Sequence, residues 1–295
     1  MTTDPDTVPW RAFVAEAERR LLEAGFDSAA IEARRIVEAA SGHEGSEYHL
    51  GLGEPATTRG VAHFDHLLER RLQGEPLQYV LGAWGFRALD LYVDRRVLIP
   101  RPETESVVEL ALAEIDRCRV GAGDRSLAVL DLGTGSGAIA LSIAAERDCV
   151  EVWATDVSAD ALDVARSNLA GLGRKATRVR LAEGSWFDAV PGELRGELDV
   201  IISNPPYVAA GDDLPAEVAQ WEPDLALVSG ESGLEALDHV VEGAAAWLRD
   251  GGALVVELAP SQAATVAAKA LRHGFRESEI GRDLTGRDRA VVARR

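Results

Sequence analysis

The segment AVLDLGTGSGAIAL, residues 128–141, decides the fold that this sequence predicts. It joins an apolar run typical of a buried strand (127–132) to a helical pattern near 137–147, and three glycines stand at the junction: Gly133, Gly135 and Gly137. Glycines at such a turn let a ligand lie against the backbone amides at the helix N-terminus. Because Ala138 also completes the dinucleotide fingerprint G-x-G-x-x-A, the loop alone indicates only a cofactor that contains a nucleoside.

Two carboxylates near this loop narrow the choice of cofactor. Asp156 follows the next predicted strand (151–155), and a carboxylate there can hydrogen-bond both hydroxyls of a ribose. Asp131 precedes the first glycine, where its negative charge would oppose a pyrophosphate but suits the cationic ammonium and sulfonium of S-adenosylmethionine. The alternative is that Asp131 braces the loop through hydrogen bonds.

An aromatic residue follows the third predicted strand (178–182), within the segment LAEGSWFD. In an open parallel sheet that binds nucleosides, Trp186 lies where the adenine would rest. Trp186 and Phe187 could equally be aromatic residues of the core, so the sequence leaves both interpretations open.

The segment VIISNPPYVAA, residues 200–210, covers the end of a fourth predicted strand (198–203) and the residues that follow it. It contains no acid, base, nucleophile or metal ligand. A following proline keeps Asn204 extended, and its side-chain oxygen and the Pro205 carbonyl are acceptors for both hydrogens of one planar NH₂ group. Tyr207 can lie against the plane of that group. Methyl transfer from a sulfonium depends mainly on positioning, so the segment suits amino-group methylation, with a rigid turn as the alternative.

Alternating strands and helices from about residue 104 predict an α/β fold with a doubly wound, mainly parallel sheet. The other helices are predicted at 104–117, 159–170, 233–249 and 261–273, and another strand at 253–258. A closing pair near 276–281 and 289–294 can add an antiparallel edge strand.

Residues 9–75 predict three amphipathic helices, which would form a small bundle. The first begins at Pro9, the second is capped by Asp27 or Ser28, and the third by Thr58. We therefore expect an N-terminal helical domain (1–80), a β-hairpin linker (81–103, with the hairpin in 86–100) and a catalytic domain (104–295).

Composition limits the partners and the compartment. The formal net charge of −18 argues against a partner held mainly through phosphates, so we expect no direct nucleic-acid binding. No apolar run approaches the length of a membrane span and no signal peptide is visible, so we expect no membrane contact. Two cysteines cannot form a disulfide framework or a zinc site, and the six histidines show no ligand pattern. We therefore expect a cytoplasmic protein without a metal.

Taken together, these motifs resemble the class I S-adenosylmethionine-dependent methyltransferases, which have a Rossmann-like core. Four further segments resemble the PrmC/HemK family of release factor glutamine-N5 methyltransferases: GEPLQYVLG (74–82), VLIPRPETE (97–105), WEPDLAL (221–227) and GRDRAVVAR (286–294). The resemblance implies methyl transfer from S-adenosyl-L-methionine, with S-adenosyl-L-homocysteine as product. The acceptor would be the glutamine of the Gly-Gly-Gln motif in class 1 peptide chain release factors, which the N-terminal domain would help to hold.

The motifs and the resemblance predict the following site residues. Cofactor binding is assigned to Asp131, Gly133, Thr134, Gly135, Ser136, Gly137, Asp156, Val157, Ser185, Trp186 and Asn204. Substrate binding is assigned to Asn204, Pro205, Pro206 and Tyr207, with catalysis at Asn204, Pro205 and Tyr207. Ser185 stands where relatives can carry Asp. Arg101 lies near Glu103 and Glu105, which favours a structural ion pair over a catalytic role.

Three other functions remain open at this level. Methyltransferases acting on adenine-N6 or guanine-N2 of DNA or RNA share the NPPY motif, although the acidic charge counts against them. A nicotinamide-binding oxidoreductase shares the glycine fingerprint but leaves NPPY without a role. A non-catalytic binding protein could keep the fold, and an intact NPPY speaks against it.

Overall fold

The computed structural model describes residues 8–295, which form two compact units. The first ends at Gly82 and the second spans Ala83–Arg295. Residues 83–103 of the predicted linker (81–103) therefore group with the second unit.

The first unit is built from helices. They are α1 (Trp10–Glu23), α2 (Ala29–Ser41), α3 (Gly45–Gly51), α4 (Thr58–Leu72) and α5 (Leu77–Leu81). Apolar residues spaced three or four apart place one stripe of each long helix in a common core. Leu21, Ile36, Phe64 and Leu68 are fully buried there.

Two details of the first unit differ from the prediction. Thr57, not Thr58, caps α4, because its hydroxyl oxygen accepts a hydrogen bond from the Gly60 N–H at 3.0 Å. Helices α3 and α5 were not predicted, since seven and five residues are too short for a helical period to show.

The second unit opens with a hairpin that is shorter than predicted. Its strands are β1 (Trp84–Phe86) and β2 (Leu89–Leu91), which pair antiparallel, and no strand continues to residue 100. Val93, Val97 and Ile99 are nevertheless buried. The apolar alternation that predicted a longer hairpin thus reflects burial of an irregular segment rather than strand pairing.

A seven-stranded sheet forms the centre of the second unit. Its strands are β3 (Leu127–Leu132), β4 (Val150–Asp156), β5 (Val179–Glu183), β6 (Leu198–Ser203), β7 (Leu248–Glu257), β8 (Glu277–Arg282) and β9 (Asp288–Arg294). Their order is β5-β4-β3-β6-β7-β9-β8, with the first five parallel and β9 antiparallel to both its neighbours. The predicted mainly parallel sheet with an antiparallel edge is confirmed.

Helices pack around this sheet. They are α6 (Pro102–Val120), α7 (Ala138–Glu146), α8 (Ala159–Ala170), α9 (Ala216–Trp221), α10 (Asp224–Leu227), α11 (Glu235–Trp247) and α12 (Ala263–Arg272). Helices α9 and α10 were not predicted because both are very short. Over the described residues, none of the helices has both the length and the apolar character that crossing a membrane would require.

The strand order decides where a ligand can bind. From β3 the chain moves outward through β4 to β5, and then returns to place β6 on the other side of β3. The loops after β3 and β6 therefore leave the sheet at a topological switch point, where open α/β sheets have their binding crevice.

Candidate active site

The sheet register brings the predicted functional residues to one level. Leu132 pairs with Thr155 on one side and with Ser203 on the other, so the next residue of each strand or loop lies at the same edge. Those next residues are Gly133, Asp156 and Asn204. Parallel register thus collects the glycine loop, the ribose carboxylate and the NPPY segment at the carboxyl end of the sheet.

The glycine loop turns with a left-handed backbone. Gly133 has φ +73° and Gly135 has φ +55°, a region that side chains with a Cβ adopt only with strain. Nothing lies within 4 Å of the Cβ position at either residue, so their backbone faces open space. The loop therefore offers a bare backbone surface against which a ligand can lie.

Asp156 supports this loop from the end of β4. Its two carboxylate oxygens accept hydrogen bonds from the Gly135 N–H at 2.8 Å and the Ser158 N–H at 2.9 Å. Burial raises the pKa of Asp156, and these backbone hydrogen bonds counter part of that rise. A carboxylate has about four lone-pair sites, so acceptor capacity remains for ligand hydroxyls.

Asp131 lies beneath the loop rather than at the surface of the site. It is fully buried, and one oxygen accepts hydrogen bonds from the Thr134 hydroxyl at 2.6 Å and the Ala140 N–H at 3.2 Å. Burial raises its pKa to about 7. Asp131 thus forms the hydrogen bonds expected if it braces the glycine loop. A direct contact between Asp131 and the cofactor stays a prediction.

The β5 end of the site carries Trp186 in a strained conformation. Its φ of +47° is uncommon for a residue other than glycine, and such outliers concentrate at functional sites. The ring of His239 on α11 lies 5.9 Å from the Trp186 ring, between centroids, with a tilt of 37°. His239 had no signal in the sequence, because its position depends on how α11 packs.

The NPPY segment is held at both ends. The Asn204 Nδ2 donates to the Thr104 hydroxyl oxygen at 3.4 Å, and the Tyr207 hydroxyl lies 3.5 Å from Oε1 of Glu257. Gln262 donates to the Tyr207 carbonyl at 3.0 Å. Burial, followed by the charge of Glu257, raises the pKa of Tyr207 to about 12, so its hydroxyl is protonated at neutral pH.

These elements enclose a cavity of about 520 Å³. The predicted residues that line it are Gly133, Thr134, Gly135, Ser136, Asp156, Val157, Ser185, Trp186, Asn204 and Pro206. The predicted residues that do not are Asp131, Gly137, Pro205 and Tyr207. Gly137 instead packs beside Leu141, and Pro205 is buried.

Two segments outside the sheet form the rest of the cavity wall. One comes from VLIPRPETE and contributes Val97, Leu98, Pro100 and Thr104; the other comes from WEPDLAL and contributes Pro223, Leu225 and Ala226. In the sequence, both segments are recognisable only by their resemblance to the family. Their meeting at the cavity could not be read from spacing, because they lie far apart in the chain.

An ion pair joins these two segments. Arg101 donates to Glu222 at 2.7 Å, and the Ile99 N–H donates to the other oxygen of Glu222 at 3.3 Å. The predicted ion pair of Arg101 is thus present, but with Glu222 rather than with Glu103 or Glu105. Glu222 is almost completely buried, so Arg101 compensates a charge that burial would otherwise destabilise.

The residues present fit a nucleoside cofactor with polar and apolar parts. The open glycine backbone and Asp156 supply polar groups, while Ile139, Val157 and Trp186 supply apolar surface. Over residues 8–295, no group of three or more His, Cys, Asp or Glu is arranged to hold a metal ion.

Comparison with known proteins identifies the family. Residues 13–82 match the PrmC N-terminal domain, and residues 120–220 match the methyltransferase small domain. The release factor glutamine methyltransferase of Cereibacter sphaeroides is 40% identical over 277 residues, covering 93% of this chain and 94% of the relative. The chain belongs to the release factor glutamine methyltransferase family. The member from Deinococcus radiodurans is 39% identical over 286 residues, covering 97% of this chain and 98% of its own.

Membership of the release factor glutamine methyltransferase family makes this chain a methyltransferase. The resemblance drawn from the sequence motifs is confirmed, and the oxidoreductase and non-catalytic alternatives are wrong. Among solved structures, the catalytic domain of hMettl16 aligns with a TM-score of 0.52 at 14% identity, over 77% of this chain and 81% of that one. That likeness supports the class I methyltransferase fold.

Proposed function

We propose that this chain transfers a methyl group from S-adenosyl-L-methionine to the side-chain amide nitrogen of the glutamine in the Gly-Gly-Gln motif of class 1 peptide chain release factors. The single observation that carries the proposal is the position of Asn204. It lines the same cavity as the glycine loop and stands at the level of Gly133 across the β3–β6 register. The family of the chain supports glutamine as the acceptor.

The cofactor would lie across the carboxyl ends of β3, β4 and β5. Asp156 would bind the ribose hydroxyls, the backbone from Gly133 to Gly137 would lie along the amino-acid part, and Trp186 and Val157 would flank the adenine. When bound, S-adenosylmethionine would supply a methyl group on a sulfonium and leave as S-adenosylhomocysteine.

The NPPY segment would hold the glutamine amide. The Asn204 side-chain oxygen and the Pro205 carbonyl would each accept one hydrogen of its NH₂ group, and Tyr207 would limit its movement. These acceptors also stabilise the positive charge that develops on the nitrogen. The extra proton can leave to water afterwards, so the site needs no general base at this position.

The release factor and the compartment are parts of the same proposal. We infer that the N-terminal unit, which matches the PrmC N-terminal domain, helps to hold the release factor. A cytoplasmic location fits the two free, half-buried thiols of Cys118 and Cys149. The net charge of −18 favours a protein partner over nucleic acid.

Mass spectrometry of a release factor tests the function directly. After incubation with enzyme and S-adenosylmethionine, we expect the tryptic peptide that contains Gly-Gly-Gln to gain the mass of one methyl group on its glutamine. The Asn204→Ala variant should lose most of this transfer and still bind the cofactor in calorimetry. An unmodified release factor, together with methylated DNA or RNA, would replace the proposed function by nucleic-acid methylation.

A further inference from the structure

The NPPY segment has few means of fixing its own backbone. Pro205 and Pro206 have a restricted φ but no N–H, so neither can donate a backbone hydrogen bond. At its start the segment continues from β6, where the Ser203 hydroxyl donates to the Leu132 carbonyl at 2.7 Å. Its other end lies outside the sheet, so the position of the Pro205 carbonyl depends on what holds Tyr207.

The peptide unit between Tyr207 and Val208 is held by both of its polar groups. Its carbonyl accepts a hydrogen bond from Nε2 of Gln262 at 3.0 Å, and its N–H donates to the Leu227 carbonyl at 3.0 Å. The Val208 carbonyl in turn accepts from the Ser229 N–H at 2.8 Å. The end of NPPY is thus tied both to the WEPDLAL wall of the cavity and to the residue that precedes α12.

Gln262 uses both polar atoms of its side chain at this place. Nε2 also donates to the Gly233 carbonyl at 3.0 Å, and Oε1 accepts from the Ala259 N–H at 3.0 Å. Because the Ala259 N–H can only donate, the amide oxygen of Gln262 must face it, and the two hydrogens of the NH₂ are then directed at the two carbonyls. The three contacts together allow a single orientation of the Gln262 amide.

Gly233 packs directly against the same peptide unit. A Cβ at this position would lie 2.7 Å from the Tyr207 carbonyl oxygen and 3.0 Å from the Ala209 nitrogen, closer than ordinary van der Waals contact. The φ of Gly233 is +73°, which glycine adopts without strain. Its missing side chain therefore lets the two carbonyls approach closely enough for Gln262 to bridge them.

We propose that Gln262 is a positioning residue that, with Gly233, fixes the end of the NPPY segment and so the position of the Pro205 carbonyl. The inference rests on the proposed function, in which this carbonyl and the Asn204 oxygen accept the hydrogens of the glutamine NH₂. Strand β6 fixes one end of the segment and Gln262 the other. Without the Gln262 donor, the Tyr207 carbonyl would lose this partner, and the ψ angles of the two prolines would be less restrained.

The test uses the full-length enzyme, a release factor and S-adenosylmethionine, with steady-state kinetics from pH 5.5 to 8. Gln262→Glu keeps the size of the side chain and replaces its NH₂ by an acceptor that faces two carbonyl oxygens. We expect kcat at pH 8 to fall about 100-fold, because a misplacement of about 1 Å can cost that much. The calorimetric Kd of the cofactor should stay near its wild-type value, since the glycine loop and Asp156 are unchanged.

The pH dependence gives a readout that a loss of packing alone would not give. When the introduced carboxylate takes up a proton, it regains one donor for the Tyr207 carbonyl. The two carbonyl oxygens oppose its negative charge and so favour this protonation. The kcat of Gln262→Glu relative to wild type should therefore rise about 10-fold from pH 8 to pH 5.5, the effect of one hydrogen bond. Gln262→Met, which has neither donor nor charge, should stay low at every pH.

Two glycine variants test the same contact from its other side. Gly233→Ala places a methyl group against the Tyr207 carbonyl, so kcat should fall while the cofactor Kd stays unchanged. Gly251→Ala is the matched control: its φ is +80°, but nothing lies within 4 Å of its Cβ position. It carries the backbone strain without the contact and should keep the wild-type kcat.

Four results would each overturn the inference. They are a wild-type kcat in Gln262→Glu at pH 8, a cofactor Kd that rises as much as kcat falls, a relative kcat of Gln262→Glu that does not change with pH, and an equal kcat in the two glycine variants.

The same experiment separates this inference from the function on which it rests. If the wild-type enzyme leaves the Gly-Gly-Gln glutamine unmodified, the proposed function fails before any variant is compared. If the wild-type enzyme methylates it and the variants keep wild-type kinetics, only the role of Gln262 fails.

Discussion

Replacing Glu257 by glutamine should change the pH dependence of stability in a predictable direction. The pKa of Glu257 is about 7 in the folded protein and ordinarily 4.5. Between these values the folded state holds a proton that the unfolded state has released, so stability is lost as pH rises through this window. At about 1.4 kcal/mol for each pH unit, the loss amounts to about 3 kcal/mol.

The pH dependence of the free energy of unfolding can be measured for wild type and Glu257→Gln by urea unfolding, followed by tryptophan fluorescence. Glutamine does not titrate, so the free energy of unfolding of the variant should rise relative to wild type by about 3 kcal/mol between pH 4.5 and pH 8. Burial also raises the pKa of Asp131 to about 7, but Asp131 is unchanged in the variant, so its contribution should cancel in the comparison. Glu151→Gln, at an exposed position on β4, is the matched control and should show no such trend. A difference that stays flat across this pH range would refute the assignment of a buried, unfavourable charge to Glu257.

Three further changes test other parts of the site. Asp156→Ala should weaken cofactor binding about 10- to 100-fold in calorimetry, the effect of losing hydrogen bonds to a charged group, and unchanged affinity would contradict its assigned role. Arg101→Ala leaves Glu222 buried and unpaired, so the free energy of unfolding should fall by about 3 kcal/mol, and adding Glu222→Gln should restore much of it. In urea unfolding, Gly135→Ala should cost about 1–2 kcal/mol because its φ is +55°, whereas the control Gly121→Ala, where φ is −96°, should cost nothing measurable.

Local features of the sequence were sufficient to predict the fold and the main parts of the site. A glycine turn depends on backbone conformations that only glycine adopts easily, and the apolar period of strands and helices is a property of adjacent residues. The NPPY segment is likewise local, since Pro205 restricts Asn204 directly. The loop, the end of β4 and NPPY could therefore be recognised without knowing how the chain folds.

Residues that act through distant partners could not be predicted in this way. Thr104 contacts Asn204 only because α6 packs on the sheet, and Glu257 lies near the Tyr207 hydroxyl only because the β6–β7 register aligns Val256 with Ser203. Arg101 finds Glu222 rather than its acidic neighbours for the same reason. Nothing in the spacing of these residues reveals such meetings.

The sequence by itself determined the class of fold and the shape of the acceptor group, because both depend on the conformations of neighbouring residues. Only the tertiary structure decided that Thr104 contacts Asn204 and that a buried carboxylate, Glu257, lies beside the Tyr207 hydroxyl. Register and packing bring together residues that the chain keeps far apart, and burial then raises the pKa of Glu257 to about 7. A backbone turn is encoded locally, whereas the electrostatic environment of a side chain depends on the whole of its surroundings.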